Sequence, residues 1–434
     1  MSSPLRPLDD ALADLLARAH PVAQCDLVPT LDACARVLAR DQYATLDVPS
    51  ADNTQMDGYA MRAADVPAVG TRLPVTQRIA AGHPGEPLAA GTAARIFTGA
   101  FIPPGADAVV MQEQCVAQGE FVVVNHMPQS GEWVRERGED IRCGSTILHA
   151  GQRLSPQALG LAASVGLAEL PVHRHVRVGC FFTGDELVMP GEPLPPGAIY
   201  NSNRFVLVSL LRALGCDVTD LGIVPDSLEA TRQALREAGA ECDLVITSGG
   251  MSVGEEDHVR PAVQAEGELH QWQIAMKPGK PLAYGLLRRA LPADLDPPAR
   301  PATGSTAQAA SGHGALADGA GFAHFIGLPG NPVSSFVTFL LLVRPFVQRL
   351  QGLTQVTPLA RTLRADFDWP KPDRRREFLR VRLNPNGGLD LFPNQSSAVL
   401  TSTVWGDGLV DTPAGTPIRR GDLVRFLAFT DLLS

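Results

Sequence analysis

Leu8, Leu12, Leu15 and Leu16 recur at helical spacing, and Pro21 follows, so the pattern predicts an amphipathic helix over 8–20. A second helix is expected over 30–40. From 48 to about 172 the apolar runs shorten and alternate, as in Phe121 to Val124, with Gly and Pro between them. That punctuation predicts β-rich modules. Near Val176 the rhythm changes: an apolar run at 176–182, a Leu/Val helix at 205–214 stopped by Gly215, a strand at 218–224, a helix at 228–238 and a strand at 244–247. Strands alternating with helices imply βαβ units and a parallel sheet covered on both faces. Strands around Ile274 and Leu282, another at 325–328 and a helix at 333–350 complete a doubly wound α/β domain. The segment 288–321, rich in Ala, Gly, Pro, Ser and Thr without apolar periodicity, reads as a mobile insertion. Short strands at 378–383, around Val410 and at 423–429 predict a small C-terminal β domain.

The expected organisation is therefore multidomain α/β plus β. The β-rich modules come first, the α/β domain spans 173–351 and the C-terminal β domain 352–434. A length of 434 residues fits about three domains, give or take one.

Composition narrows the chemistry. Hydrophobic residues make up 45% and charged residues 19%, the balance of a folded globular chain. A net charge of −9 opposes nucleic acid or an anionic membrane as partner, because both need a positive field. No apolar stretch approaches the roughly 20 residues of a membrane span, and Asp9, Asp10 and Asp14 argue against a signal peptide, so a cytoplasmic protein is expected. The seven cysteines are scattered singly and the ten histidines are dispersed, a pattern unlike a zinc site or a disulfide framework.

In open α/β sheets ligands bind beyond the carboxyl ends of the strands. Four such ends carry candidate chemistry. The first is Thr183-Gly184-Asp185-Glu186, which alone is an ordinary strand-ending turn. The second, Thr247-Ser248-Gly249-Gly250-Met251-Ser252-Val253-Gly254, is followed by Glu255, Glu256 and Asp257. Its glycines let backbone amides approach a phosphate, its hydroxyls add donors, and the adjoining carboxylates suggest a divalent cation between acid and phosphate. The third, Lys277-Pro278-Gly279-Lys280-Pro281, concentrates two lysines in an acidic chain, as oxyanion capture requires; a solvated turn is an equal reading. In the fourth, Gly327-Leu328-Pro329-Gly330-Asn331-Pro332, Asn331 is a natural helix cap with Pro332 at the first helical position.

Together these four segments resemble the molybdopterin-binding domain of molybdenum-cofactor synthesis proteins. In the first half, Met56-Asp57-Gly58-Tyr59-Ala60, Ile96-Phe97-Thr98-Gly99-Ala100 and Arg137-Gly138-Glu139-Asp140-Ile141 resemble the molybdopterin molybdenumtransferase family, which includes the gephyrin E domain. The resemblance covers the chain except 288–321, and it implies that residues 1–50 and 140–172 form a dimer-forming N-terminal module into which a β-rich module at 51–139 is inserted. It implies an enzyme that inserts molybdate into adenylyl-molybdopterin and releases AMP, working as a homodimer whose site lies between subunits. It implies Mg²⁺ as cofactor, bound by Glu186 and Asp257, with Asp185 behind them. Asp57, Thr98, Asp140, Glu186, Asp226, Lys277 and Lys280 are the residues it implies for the reaction. Asp57, Thr98 and Asp140 would reach in from the partner subunit. Ser248, Gly249, Gly250, Ser252, Pro281, Pro329 and Asn331 would line the pterin and phosphate site, and Arg375 and Ser397 would help Lys277 and Lys280 hold molybdate. A solvated basic run is the alternative for 374–376. Asn201 stands where the family frequently has Asp, and an amide cannot act as an anionic ligand.

Two other readings stay beside it: the adenylyltransferase that precedes this step, although that family is generally a single domain, and a gephyrin-like scaffold. The pathway's adenylyltransferase and molybdoenzyme maturation factors are the partners the resemblance implies.

Overall fold

The computed structural model describes residues 5–250, 258–289 and 321–433. Ser252, Asp257 and nearly all of the 288–321 insertion lie outside the described residues. Chain contacts divide the molecule into two units, Leu27–Ala150 with Leu154–Val172, and Met1–Asp26 with Gly151–Arg153 and His173–Ser434.

In the first unit a six-stranded sheet runs in the order Ala108–Met111, Gly58–Met61, Ala93–Ile96, Thr71–Ile79, Phe121–Val124, Cys115–Gln118. Alternate residues feed two apolar clusters: Tyr59 and Met61 belong to one, Ala60 to the other. Burial on both faces explains the largely apolar runs of Gly58–Met61, Ala93–Ile96 and Ala108–Met111, whereas Phe121–Val124 alternates and Cys115–Gln118 is largely exposed. At Gly58 a side chain would run into the Val110 carbonyl. The helix Pro156–Ser164 starts as its sequence dictates, with the Ser155 hydroxyl accepting from the Ala158 amide at 3.2 Å and Pro156 in the first turn.

The helix expected over 30–40 does not form; only Thr30–Asp32 makes a 3₁₀ turn. Ala35 sits at φ 64°, outside helical space. Backbone donors of this segment are spent elsewhere, Thr30 on Ala168, Ala35 on Leu154 and Ala39 on Pro171. Long-range pairing overrides the local pattern here.

The second unit holds the α/β domain. Its sheet runs Asp217–Val224, Arg177–Thr183, Leu244–Ser248, Phe322–Leu328, Pro281–Arg288, Gly267–Gln273. The first four strands are parallel, Pro281–Arg288 runs against them, and Gly267–Gln273, antiparallel to its one neighbour, runs with the first four again. This corrects the all-parallel expectation: the connection 274–280 is far shorter than the dozen or so residues a parallel crossover needs. Ile274 is buried but lies outside both strands, in a lone bridge to Arg6.

Alternation along the strands feeds both faces. Val178, Cys180, Phe182, Ile246 and Leu328 pack with the helix Ser202–Ala213, while Phe181, Val245 and Phe325 pack with the helices Leu228–Glu241 and Val259–Glu266. The opening helix Leu8–Arg18 adds Leu8, Ala11 and Leu15 to the first of these cores. The long helix Pro332–Leu350 is continuous through a π turn at Phe339–Val343, next to Pro345, whose missing amide cannot bond one turn back. It is long and apolar enough to cross a membrane, but 94% of its most apolar window is buried in this core.

The C-terminal strands Arg376–Leu383, Gly388–Leu391, Arg361–Ala365, Leu423–Ala428 and Gly408–Thr412 close into a ring, because the last also pairs with the first. Leu379, Val381, Leu389, Val410 and Phe426 fill it. Met276–Lys277 joins it in parallel, with Met276 opposite Arg376 and Lys277 opposite Glu377. A strap from the α/β domain thus becomes an edge strand of the β domain.

Candidate functional site

Chain order puts the strands Asp217–Val224 and Leu244–Ser248 on opposite sides of Arg177–Thr183, with their connecting helices on opposite faces. A sheet whose connections diverge in this way opens a crevice at the carboxyl ends of the diverging strands. Register lines up what stands there: Thr183 lies beside Val224, Phe182 beside Ser248, Ser248 beside Leu328, and Ala283 beside Gly327. Asp226, Thr183, Ser248, Leu328 and Pro281 therefore form a row along one sheet end.

The glycine loop occupies the middle of the row. The Ser248 hydroxyl donates to the Pro329 carbonyl at 3.0 Å and accepts from the Asn203 amide at 2.8 Å. Asn203 also donates to the Gly330 carbonyl at 2.8 Å, so one side chain ties two loops together. Gly249 and Gly250 sit at φ 100° and 60°. A Cβ on Gly249 would lie 2.8 Å from the Thr183 carbonyl oxygen, and one on Gly250 would lie 2.5 Å from the Val259 side chain. Only glycine fits both positions.

Acidic groups flank the loop on one side. The Thr183 hydroxyl donates to Asp226 at 3.2 Å. Glu186 folds back so that its carboxylate covers Gly184, and Asp185 is exposed. On the other side Asn331 is the N-cap of the long helix, but its side chain makes no capping bond. The Val333 amide is met instead by the Ser397 carbonyl at 3.0 Å, so the C-terminal domain contributes backbone here. Arg380, 1% exposed, fixes that contributing loop through the Ser396 carbonyl and the Ser402 hydroxyl. Burial pushes its guanidinium down to about 10.

Pro281 closes the row, two strand spacings or about 10 Å from Ser248, and the lysine turn runs into it. Gly279 packs so tightly on the long helix that a side chain would overlap the Thr338 hydroxyl. Lys280 is exposed and has no ion-pair partner among the described residues. Lys277 differs: its ammonium lies 3.3 Å from Asp373 and 3.2 Å from Glu377. Glu377, 2% exposed, also accepts from the Trp369 indole and from the Asp373 amide, both at 2.8 Å. Arg375 grips both Asp373 carboxylate oxygens at 3.0 Å. These bonds, Arg375 first, hold the Asp373 carboxyl below the usual carboxylate range.

Arg376, in the run that a solvated reading also fitted, is bound by Asp411 and Asp9. Arg374 is exposed and lines a cleft of about 920 Å³ with Pro7, Pro413 and Ile418.

Asp57, Thr98 and Asp140 belong to the other unit. Asp57 accepts from the Thr98 amide at 2.7 Å and hydroxyl at 2.6 Å, which lowers its pKa, the hydroxyl bond contributing most. Asp140 is held through its backbone by Val48. Asn203, Asp373 and Glu377 were not singled out by sequence. Tyr200-Asn201-Ser202-Asn203 at a helix start and Asp373 before three arginines were the signals available. Asn201 caps its helix by accepting from the Arg204 amide, which gives the amide side chain a structural use.

Three family models divide the chain among them: "MoeA N-terminal region (domain I and II)" over 6–166, "Probable molybdopterin binding domain" over 179–349 and "MoeA C-terminal region (domain IV)" over 362–429. A molybdopterin molybdenumtransferase of Haemophilus influenzae is 39% identical over 80% of this chain and 78% of that protein. That of Synechococcus elongatus is 35% identical over 89% and 90%. A crystal structure of a molybdopterin biosynthesis MoeA protein from Pyrococcus horikoshii superposes with a TM-score of 0.80 at 26% identity, covering 98% of this chain and all of that one. With matched regions running in one order from end to end, the chain belongs to the molybdopterin molybdenumtransferase (MoeA) family.

Proposed function

We propose that this protein loads molybdenum into the pterin cofactor: it takes adenylyl-molybdopterin and molybdate and gives the metal-bearing cofactor and AMP. One observation carries most of the support. An uncharged glycine cradle ends one strand of the α/β sheet, and the turn carrying Lys277 and Lys280 leads into Pro281 at the same end of that sheet, two strands away, which suits a phosphoanhydride and an oxyanion that must react together. Ser248, Gly249 and Gly250 form the cradle that seats the phosphates, its shape fixed by the Ser248 hydroxyl on the Pro329 carbonyl and the Gly249 amide on the Leu328 carbonyl; Pro281, Pro329 and Asn331 line the pterin, and Lys280 draws molybdate toward Lys277 and Arg375. Two dithiolene sulfurs replace two molybdate oxygens, which are protonated and leave as water, and a molybdate-derived oxygen or water attacks the phosphoanhydride, forming a new P–O bond as AMP is expelled. The protein's contribution is positioning and charge neutralisation rather than a nucleophile.

Magnesium fits the acidic edge. Glu186 and Asp226 offer oxygen donors at neighbouring strand ends, and one or two carboxylates plus substrate phosphates are its common donor set. Asp257, the other ligand expected, lies outside the described residues, and no cluster of three candidate ligands occurs among the described ones. When bound, the ion supplies neutralisation of phosphate charge. In this reading the protein is a cytoplasmic homodimer. Asp57, Thr98 and Asp140 of one protomer complete its partner's site, substrate arrives from the adenylyltransferase, and product passes to molybdoenzyme maturation factors.

Purified protein incubated with adenylyl-molybdopterin, Mg²⁺ and increasing molybdate should release AMP in proportion to molybdate. Consumption of ATP with release of pyrophosphate would assign the preceding step instead. For the shared site, mixing inactive Asp57→Asn and Glu186→Gln chains should restore activity in mixed dimers, whereas a site built within one chain stays inactive.

A further inference from the structure

Arg375 and Lys277, two of the cations assigned to molybdate, both close on one carboxylate. Arg375 makes a two-point contact to Asp373 with its side chain, at 3.0 Å to each oxygen, and its own amide adds a third bond at 3.0 Å. Lys277 meets the same carboxylate at 3.3 Å. A planar anion gripped in this way by a guanidinium and an ammonium presents the contacts that a tetrahedral oxyanion would receive. Glu377 is placed differently. It is 2% exposed and tied to Trp369 and the Asp373 amide, so it is built into the domain and anchors Lys277 from below. The Asp373 side chain, 24% exposed, is the more accessible of the two carboxylates, and its oxygens meet Arg375 and Lys277 rather than the Trp369 indole.

Charge decides what must happen on binding. Lys277 and Arg375 are balanced by Asp373 and Glu377, while Lys280 has no ion-pair partner among the described residues. A dianion entering between these cations meets a neutral cluster unless one carboxylate leaves.

We propose that Asp373 is a built-in stand-in for the oxyanion, occupying Lys277 and Arg375 until molybdate displaces it. This rests on reading the cluster as the molybdate site and adds a competing group that sets the threshold for entry. A monoanion such as chloride gains too little charge interaction to displace a two-point contact, whereas a tetrahedral dianion does not.

The test is molybdate binding by calorimetry to the full chain, with Asp373→Asn and Lys280→Ala variants and a thermal melt for each. Asp373→Asn should bind molybdate roughly fivefold tighter, the size of one partly exposed ion pair, while Lys280→Ala binds it more weakly. A folded Asp373→Asn that binds no tighter than the parent overturns the proposal. A second readout needs no variant. Lys277, Lys280 and Lys371 are the only lysines of the chain, so ¹³C-methylated lysines give few, separable signals. On adding molybdate, the Lys277 signal should move along with that of Lys280; movement of Lys280 alone overturns the proposal. If neither moves and Lys280→Ala changes nothing, the molybdate site itself is misplaced and the stand-in falls with it.

Discussion

Ser248 is held by Asn203 and the Pro329 carbonyl, and the glycines beside it are fixed by backbone conformation; no ion pair joins this loop among the described residues. At the strap that joins the C-terminal β domain, Lys277 and Arg375 are locked to Asp373 and Glu377. The first region can hold an anion by a close-fitting backbone fixed without charge, which is little affected by salt. The second can hold one only by rearranging charges that now satisfy one another, which makes it selective and sensitive to ionic strength. Two anions that repel each other are thus met by devices that can fail independently.

The strongest way to break this contrast is Gly249→Ala. A Cβ there lies 2.8 Å from the Thr183 carbonyl oxygen at φ 100°, and backbone cannot yield as a side chain would. AMP affinity should fall on the order of a hundredfold, the cost of a strained backbone position, while molybdate affinity changes little. Next is Asn203→Ala, which removes the two bonds joining the glycine loops. Roughly a tenfold loss of AMP affinity is expected, and the loss should be the same at low and high salt. Lys280→Ala should weaken molybdate binding about fivefold at low salt and less at high salt, with AMP binding unchanged. The smallest effect is an expected constancy. Arg375 keeps Asp373 ionised below the usual carboxylate range, so a contribution from that carboxylate is present at neutral pH and is lost only when pH falls through its depressed value. The ratio of molybdate affinities between the parent and Asp373→Asn should therefore stay level from about pH 8 to about pH 6.

The glycine region was legible in sequence because its requirements are local. Strand, glycines and hydroxyls follow one another from Leu244 to Gly250, and the position of Asn331 at a helix start is set by Pro332. The charged region was legible only in half. Lys277-Pro278-Gly279-Lys280 named its cations, but their partners come from residues nearly a hundred positions later, through the pairing of Lys277 with Glu377. Asp373 looked like one more charge beside a basic run. The missing helix over 30–40 has the same origin, since distant carbonyls of Leu154, Ala168 and Pro171 take its amides. The antiparallel pair at 267–288 is a different case: the shortness of the 274–280 connection already excluded a crossover.

The most direct test of two anion sites with separate physics is a pair of calorimetric titrations, AMP and molybdate, on the same protein across a range of ionic strength. Molybdate affinity should fall steeply with salt and track Lys280, while AMP affinity falls gently and tracks Gly249 and Asn203. Parallel decline of both, or a Gly249→Ala variant that loses molybdate as fully as AMP, would contradict the account.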